Sequence, residues 1–339
     1  MVISRTPFRI SFFGGGTDYP AWYKENGGAV LSTSIDKYCY LTCRYLPPFF
    51  EHKTRLVWSK VESVQDTEEI QHPAAREVIK FLNIKPGLEI HHDGDLPARS
   101  GLGSSSAFTV GLLNALHALQ GDMMTKRQLA LDAIHVEQDL IKENVGSQDQ
   151  AAVAFGGFNM ITFGGPAHVA VTPVVLKRER LADLQNNLLM FFTGFSRTAS
   201  EVAADWIKNT SRNEQELRKM QAMVEHGMEI LKDPKAEIDD FGRLLHESWM
   251  LKRGLAANVS SSSIDGIYDA ARKAGALGGK LLGAGAGGFI LFYVPEERQA
   301  VVKLALAKLL HVPFRFESLG SQIVYHTLDE DYERPVRAS

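Results

Sequence analysis

The chain has 339 residues, of which 45% are hydrophobic, and its 37 Lys and Arg against 40 Asp and Glu give a formal net charge of -3 at pH 7. That length and apolar content indicate one large globular domain or two ordinary ones. The small negative charge gives no general attraction for nucleic acid or for an acidic membrane surface, so any bound anion must be held by a local site.

The N-terminal region and the two cysteines indicate the cellular setting. Arg5 and Arg9 come before any apolar run that could form a signal core, and no run approaches the roughly 18 residues of a membrane span. We therefore expect a cytoplasmic protein with neither a membrane nor a nucleic-acid partner. Cys39 and Cys43 lie four apart in a predicted strand, too distant for a disulfide, and they lack metal-site spacing. Both are predicted to be core residues.

The first half of the chain is predicted to be mainly strands. The strands are Phe8 to Phe13, Ala29 to Ile35, Cys39 to Tyr45, Arg55 to Val57 and Leu88 to His92, and helices follow from about Ser105 and Thr125. The later half is richer in helix. Its helices are Asn213 to Leu231, Ile238 to Leu251 and Ile264 to Lys273, and its strands are Leu188 to Phe192, Lys280 to Leu282, Phe289 to Val294 and Ile323 to His326.

These elements mix without a regular alternation of strand and helix. Such irregular mixing favours an α+β fold over a doubly wound parallel sheet. The polar stretch Lys177 to Asn187 is the best candidate for a boundary, although its composition is not that of a low-complexity linker. We therefore predict two domains, residues 1–180 and residues 181–339.

The segment "LPARSGLGSSSAF", Leu96 to Phe108, joins a predicted strand to an apolar run. That run predicts a buried helix ending at Gly121. The loop in this segment leads into the N-terminus of that helix, where backbone N–H groups and the helix dipole favour an anion. Gly101 and Gly103 allow the anion to approach the backbone closely. The segment predicts a phosphate-binding loop, and the alternative that its serines only cap the helix stays open.

Neither glycine-rich segment matches a standard nucleotide-binding motif. The first lacks the Lys of GxxxxGK[ST], and Ser106 stands where GxGxxG requires its third glycine. The second, "GGKLLGAGAGG", contains Gly283, Gly285 and Gly288 in GxGxxG spacing, but a predicted strand follows where dinucleotide binding requires a helix. A tight hairpin is predicted instead, either purely structural or placed where a ligand or another backbone comes close.

Glu137 occupies an unusual position for a carboxylate. Thr125 and Gln128 form a capping box that opens a helix predicted to run to about Lys142, and Glu137 falls within its apolar stripe. A carboxylate buried there requires a cation or a strong donor nearby. A salt bridge to Lys or Arg and a metal ion are both compatible with the spacing.

Asp149 follows in "GSQDQAAVAFGG". Ser147 and Gln150 match a second capping box, which places Asp149 in the first turn of a short helix, where the dipole alone favours an acid. Its closeness in sequence to Glu137 and to the predicted phosphate loop also makes it a candidate general base.

Three motifs together resemble the GHMP kinases, a family that includes galactokinase, homoserine kinase and mevalonate kinase. They occur in order as "TPFRISFFGGGTDYP" at Thr6 to Pro20, "LPARSGLGSSSA" at Leu96 to Ala107 and "GGKLLGAGAGG" at Gly278 to Gly288. The resemblance implies a two-domain kinase with a ribosomal-protein-like N-terminal domain, a ferredoxin-like C-terminal domain, and ATP and Mg²⁺ between them.

The resemblance also implies roles for individual residues. Asp149 would orient or deprotonate the acceptor hydroxyl beside Arg9, and Ser105 with Glu137 would bind the metal. The ATP loop would consist of Pro97, Ser100, Gly101, Leu102, Gly103, Ser104, Ser105 and Ser106. Acceptor contacts would come from Gly15, Gly16, Thr17, Asp18, Gly283 and Gly285, together with Lys280 and Arg197.

The acceptor implied by the first motif is a sugar or a sugar phosphate. Galactokinase has an acidic residue and a histidine where this chain has Gly15 and Gly16, whereas the motif is most similar to bacterial D-glycero-D-manno-heptose 7-phosphate kinases, which act on the anomeric hydroxyl. Fucokinase-type enzymes are the alternative.

Two other functional classes compete with a kinase. One is a non-catalytic sugar or nucleotide sensor, and the other is a dehydrogenase, which is opposed by the strand predicted after Gly288. A homodimer remains open.

A substrate that already carries a phosphate requires a second anion site. The candidates are Arg197 in a polar turn, Lys252 with Arg253, and Lys280. The alternatives are a solvated helix end for Lys252 and Arg253, and neutralisation of an internal acid for Lys280.

Overall fold

The computed structural model describes residues 1–47, 49–98, 100–165, 168–194, 213–255, 259–283, 285 and 287–327. Within them the strands are β1 Val2–Phe13, β2 Gly28–Tyr45, β3 Thr54–Val57, β4 Val61–Val64, β5 Leu88–Gly94, β6 Phe158–Phe163, β7 Val169–Pro173, β8 Leu188–Gly194, β9 Gly278–Leu281, β10 Gly288–Tyr293, β11 Leu310–His311, β12 Phe316–Glu317 and β13 Gln322–His326. The helices are α1 Pro20–Asn26, α2 Pro73–Phe81, α3 Ser104–Gln120, α4 Lys126–His135, α5 Gln148–Phe155, α6 Arg178–Asn186, α7 Glu214–Lys232, α8 Asp239–Leu255, α9 Ser262–Ala274 and α10 Gln299–Ala305.

Nine of these strands form the first sheet. Its main path is β13-β1-β2-β5-β3-β4, with β12 and β6 also paired to β2, and β7 paired to β6. The pairs are antiparallel except for β3 with β5. This mixed sheet, without strand–helix alternation, confirms the predicted α+β class.

The long strand β2 replaces two predicted strands. The sequence pattern predicted one strand ending at Ile35 and another beginning at Cys39, but the register with β1 passes from Tyr38 opposite Pro7 to Ile35 opposite Phe8. The extra residues are therefore absorbed by an irregularity in a continuous strand, which bends the strand without ending it. As a result β2 spans 18 residues and pairs with β6 near one end and with β5 near the other.

The second sheet contains four antiparallel strands in the order β11-β8-β10-β9. The predicted glycine hairpin is confirmed, because β9 and β10 pair directly across it. Helix α8 packs against β9 and β10, while α7 contacts α8 as well as β1 and β2 of the first sheet. Helix α7 therefore links the two sheets, because it contacts both α8, which packs on the second sheet, and strands β1 and β2 of the first sheet.

The C-terminal strands lie outside the second sheet. Strand β13 pairs with β1, with Val2 opposite His326, and β12 pairs with β2. Phe316 and Ile323 pack against the core of the first sheet, which is the apolar reason for the return of the chain. The region 181–339 therefore contributes strands to both sheets, and the stretch predicted as a boundary forms α6. The boundary at 180 itself stays a prediction.

Helix α3 is the buried helix predicted from sequence. It packs against β1 and β2 and against α2, α4 and α5. Its residues are buried on several faces, including Val110, Leu112 and Leu113. Gly121 ends it with a φ of 88°, as expected for a glycine C-cap. Because this packing holds the helix along most of its length, the direction of its N-terminal end is fixed as well.

Both cysteines are core residues, as predicted. Cys39 and Cys43 are buried on β2, and burial raises the pKa of both thiols. In the part of the chain that the structure describes, none of the helices has the length and apolar content needed to cross a membrane.

Candidate active site

Arg9 and Asp149 form a bidentate ion pair at the centre of the site. Arg9 Nε and Nη2 donate to the two carboxylate oxygens of Asp149, each at 2.8 Å. Arg9 Nη1 donates to the carbonyl oxygen of Gly101 at 2.7 Å. Arg9 is 3% exposed, so its guanidinium is held in one orientation by both the acid and the predicted ATP loop. Such paired bonds are strong and geometrically specific.

The predicted ATP loop leads directly into α3. Gly101 and Gly103 have φ of 84° and 73°, a region that favours glycine, and the backbone N–H of Arg9 donates to Leu102 O at 3.0 Å. Ser100 Oγ donates to Pro97 O at 2.6 Å, which closes the start of the loop. The N-cap is Gly103, which has no side chain to cap the helix. The helix N-terminus is thus built to receive an anion.

Glu137 is buried beside this helix, as its place in the apolar stripe predicted. Helix α4 begins with the Thr125 half of the predicted capping box, in which Thr125 accepts from the N–H of Gln128, while the Gln128 side chain donates to Asp132. The helix ends at His135. Glu137 lies in the π-helical turn Val136–Leu140 that follows. Such wide turns often occur at functional sites, because they redirect a side chain that a regular helix would place elsewhere.

The carboxylate of Glu137 is only half satisfied. Ser106 Oγ donates to Oε2 at 2.9 Å and Gln150 Nε2 donates to the same oxygen. Oε1 is buried and has no hydrogen-bond partner among the described residues. Burial raises the pKa of Glu137 to about 7, despite the lowering effect of the side chains of Thr109, Ser106 and Gln150.

The surroundings of Glu137 bear on its two interpretations, a salt bridge to Lys or Arg and a metal ligand. No Lys or Arg in the described ranges pairs with it, so the structure provides no support for the salt-bridge alternative. A buried carboxylate oxygen without a partner fits a hard divalent cation, which prefers oxygen ligands. The serine in contact with Glu137 is Ser106, whereas Ser105 is exposed one position earlier on α3. The metal roles of Ser105 and Glu137 remain predictions.

The second capping box was wrong. Asp149 does lie in the first turn of α5, but Ser147 provides no cap for the helix. Its Oγ instead bonds with Tyr23 Oη and Gln138 Nε2 at 3.2 and 3.0 Å. The side chain of Gln150 turns away from the helix end to Glu137. Tertiary contacts thus use both polar groups that local pattern had assigned to the cap.

Asp18 of the first motif is buried next to the Arg9–Asp149 ion pair. The N–H of Gly16 donates to Oδ1 at 2.8 Å and Gln148 Nε2 donates to Oδ2 at 3.0 Å. Burial raises its pKa, and the nearby Asp149 carboxylate raises it further. Thr17 has a structural contact, since its Oγ1 donates to the carbonyl oxygens of Gly14 and Ala29. Direct contact of either residue with an acceptor stays a prediction.

Two lysines from the second half of the chain, Lys252 and Lys280, form a charged cluster with Arg9, Asp18 and Asp149. Lys280 is 3% exposed and donates to Phe12 O at 2.8 Å, and burial lowers its pKa well below the ordinary value. Lys252, half-buried on α8, donates to Gly283 O. Burial lowers its pKa to about 8, and the charge of Arg9 contributes to that shift. Lys252 is therefore not at a solvated helix end.

The other two cationic candidates are placed differently. Arg253 Nη2 lies 2.8 Å from Asp265 Oδ2, so it already has an acidic partner outside the cluster. Arg197 lies outside the described residues.

Comparisons with known proteins identify the family. Residues 70–157 match the model of the GHMP kinases N terminal domain, and residues 234–311 match that of the GHMP kinases C terminal domain. The chain belongs to the GHMP kinase family. The GHMP kinase fold is therefore confirmed, and the protein is an ATP-dependent small-molecule kinase, as predicted.

Individual relatives cover most of this GHMP kinase. It is 28% identical over 311 residues to a D-glycero-alpha-D-manno-heptose 7-phosphate kinase from Campylobacter jejuni, covering 88% of this chain and 91% of the relative. It is 24% identical over 321 residues to a bifunctional fucokinase/GDP-fucose pyrophosphorylase from Arabidopsis thaliana, covering 87% of this chain but only 30% of that protein. A D-glycero-D-manno-heptose 1-phosphate kinase structure from Bacteroides thetaiotaomicron has a TM-score of 0.72 at 24% identity, covering 96% of this chain and all of that one, and shows the shared fold.

The third motif of this kinase packs against the second. A Cβ on Gly283 would lie 2.4 Å from Gly101 Cα, and one on Gly288 would lie 2.3 Å from Ser100 O. The N–H of Phe289 donates to Ser100 O at 3.2 Å. Gly285 lies against the backbone of Val259. These glycines therefore allow backbone to approach backbone, and any contact of Gly283 or Gly285 with the acceptor remains a prediction.

Replacing Gly283 with alanine should destabilise the protein by about 3 kcal/mol and raise the KM for ATP. The methyl group would overlap Gly101, and the φ of 74° adds about 1–2 kcal/mol of backbone strain. Gly121→Ala is the matched control, because its φ is 88° and nothing lies within 4 Å. Chemical denaturation and ATP kinetics would measure both variants, and equal losses of stability would contradict the close contact between the loops.

Sequence reasoning missed three polar residues of the site, Ser11, Gln148 and Gln150. Ser11 follows Arg9 by two positions on a strand, which places both on one face. Gln148 and Gln150 flank Asp149. The local pattern assigned Gln150 to a helix cap and indicated no partner for Gln148. A search for polar residues at strand spacing from Arg9 would have found Ser11.

Proposed function

We propose that this kinase transfers the terminal phosphoryl group of ATP to the anomeric hydroxyl of D-glycero-D-manno-heptose 7-phosphate. The product would be the 1,7-bisphosphate, an intermediate for nucleotide-activated heptose. The observation that carries the proposal is the Arg9–Asp149 pair, tied to the ATP loop through Gly101 and adjoined by two lysines. The similarity to a heptose 7-phosphate kinase supports the choice of acceptor.

Asp149 is suited to receive the acceptor hydroxyl. Arg9 fixes both of its oxygens, so the carboxylate can orient the attacking oxygen and accept its proton as the new ester bond forms. The exposed fraction of the Asp149 side chain is 26%, against 4% for Arg9, so the acid is the accessible member of the pair. Arg9 acts mainly by positioning Asp149 and the loop.

The phosphates of ATP would lie against the loop and the first turn of α3. Backbone N–H groups there offset negative charge without rearrangement during transfer. Glu137 Oε1 and Ser105 Oγ would hold Mg²⁺, which supplies further positive charge to the phosphates when bound. Ser106 and Gln150 keep the Glu137 carboxylate oriented by holding its other oxygen.

Charge supports a phosphorylated acceptor. Among the residues that the structure describes, the carboxylates that act on Lys252 are Asp18 and Asp149, and Asp18 also acts on Lys280. Burial is the main cause of the lowered pKa of each lysine, and repulsion from the neighbouring cations lowers it further. A phosphate group on the acceptor would compensate the positive charge of these cations, so Lys252 and Lys280 are the proposed second anion site.

Lys252→Met should raise the KM for heptose 7-phosphate by about 10- to 100-fold, because it removes a charge-assisted hydrogen bond. The KM for ATP should change less than about threefold. Arg253→Met is the matched control, since the neighbouring cation already pairs with Asp265. Steady-state kinetics with each substrate varied would decide, and parallel increases in both KM values would contradict the assignment.

A panel of sugars and sugar phosphates tests the proposed function as a whole. The enzyme would be assayed with ATP and Mg²⁺, and phosphorus NMR would locate the new ester. Turnover of heptose 7-phosphate with a new signal at the anomeric carbon supports the proposal. Preference for L-fucose, the substrate class suggested by the fucokinase relatives, would overturn it, and Lys252→Met should then have little effect because that sugar has no phosphate.

A further inference from the structure

Two buried polar atoms near the catalytic pair are unsatisfied. Ser11 is 6% exposed, and its Oγ has no hydrogen-bond partner among the described residues. The same is true of Gln148 Oε1. A buried polar atom without a partner costs about 1–3 kcal/mol, so such atoms are usually satisfied by water or by a ligand. Neither atom is used in the phosphoryl transfer described above.

Both side chains lie beside Gly15 of the first motif. A Cβ on Gly15 would be 3.7 Å from Ser11 Oγ and 3.8 Å from Gln148 Nε2, in ordinary van der Waals contact with both, and apart from the chain neighbours of Gly15 no other described atom lies within 4 Å of that position. Because Gly15 has no side chain, no atom of its own fills that position beside Ser11 and Gln148. The glycine thus allows a small group to reach both.

The orientation of Gln148 is fixed by its other end. Its Nε2 donates to Asp18 Oδ2 at 3.0 Å, which leaves the carbonyl oxygen as the atom without a partner. Gln148 precedes Asp149 on α5, and Ser11 shares a face of β1 with Arg9. The two residues that carry the unsatisfied atoms are therefore neighbours of Arg9 and Asp149 on β1 and α5.

We infer that Ser11 Oγ and Gln148 Oε1 bind a neutral hydroxyl of the acceptor, next to the hydroxyl that is phosphorylated. This rests on the proposed function in that the acceptor is a polyol. A carbonyl oxygen only accepts hydrogen bonds, so its partner must be a donor, while a serine hydroxyl can donate or accept. The carboxylates of Asp18 and Asp149 disfavour a phosphate here. The acceptor thus binds with its hydroxyls towards Gln148 and its phosphate towards Lys252.

Ser11→Ala is the clean test, because the lost Oγ makes no bond within the described protein. Its KM for heptose 7-phosphate should rise about tenfold and its KM for ATP should be unchanged, while its thermal stability should be equal to or higher than that of wild type, because an unsatisfied buried hydroxyl is removed. Ser4→Ala is the matched control on the same strand. Ser4 Oγ is buried and donates to Gly111 O at 2.9 Å, so this variant should lose stability and keep its acceptor KM.

Deoxy analogues of heptose 7-phosphate identify the bonded hydroxyl. One analogue should lose about tenfold with the wild-type enzyme but lose nothing further with Ser11→Ala, since the bond is already absent. Gln148→Leu should show the same pattern with that analogue. An unchanged acceptor KM in Ser11→Ala, or full additional losses with every analogue, would overturn the inference. If heptose 7-phosphate is not a substrate at all, the proposed function fails, and the same cycle is run with the sugar found in the panel.

Discussion

Replacing Asp149 with asparagine should lower kcat by about two to four powers of ten, the usual contribution of a positioned general base. Asparagine keeps the size of the side chain and one oxygen for Arg9, but it cannot accept the proton of the acceptor hydroxyl. The loop and α3 are unaffected, so binding of a non-hydrolysable ATP analogue, measured by calorimetry, should change little.

Asp139→Asn provides the control for this result. Asp139 is an exposed acid in the π-helical turn that contains Glu137, and its carboxylate pairs with His135. Its removal should leave kcat within about twofold of wild type, because surface ion pairs contribute little. A kcat for Asp149→Asn within tenfold of wild type would exclude Asp149 as the base and leave it a binding role at most.

The stability of the ligand-free protein should fall as pH rises from about 4.5 to 7, with contributions from Glu137 and from Asp18, because burial raises the pKa of both carboxyl groups. Burial raises the folded-state pKa of Glu137 from 4.5 to about 7, so in this window the folded protein holds a proton that the unfolded chain has released. The folded state is then favoured at the acidic end, and that advantage is lost as pH rises through 7. For Glu137 the difference amounts to about 3 kcal/mol.

Glu137→Gln should remove the Glu137 contribution of about 3 kcal/mol and leave only the slope that comes from Asp18 and other titrating groups. The amide oxygen can still accept from Ser106 and Gln150, and no ionisation remains, so the variant should be more stable than wild type at pH 8. Urea denaturation at several pH values measures this, with Asp139→Asn expected to keep the wild-type slope. A Glu137→Gln profile parallel to wild type would show that Glu137 does not contribute to the slope. Because the amide is also a poorer metal ligand, the variant should lose activity with Mg²⁺ and ATP.

Local sequence pattern predicted the elements whose information is itself local. Helix α3 was found from its apolar run and its glycine C-cap, and the β9–β10 hairpin from glycines followed by a strand signal. The pattern failed where a distant partner decides. Ser147 and Gln150 looked like a cap, but Gln138 and Glu137 compete for their side chains and are the partners that they bind.

Hydrophobic period, glycine placement and motif order are properties of the chain, so they were enough to predict the fold class, the family and the loop that leads into a buried helix. Three features appear only in the folded molecule: the Arg9–Asp149 ion pair, the close approach of the glycines of two motifs, and the position of Lys252 and Lys280 in the same cluster. These contacts join residues up to hundreds of positions apart. Their energies depend on burial and on the charges of neighbours, which no local pattern contains.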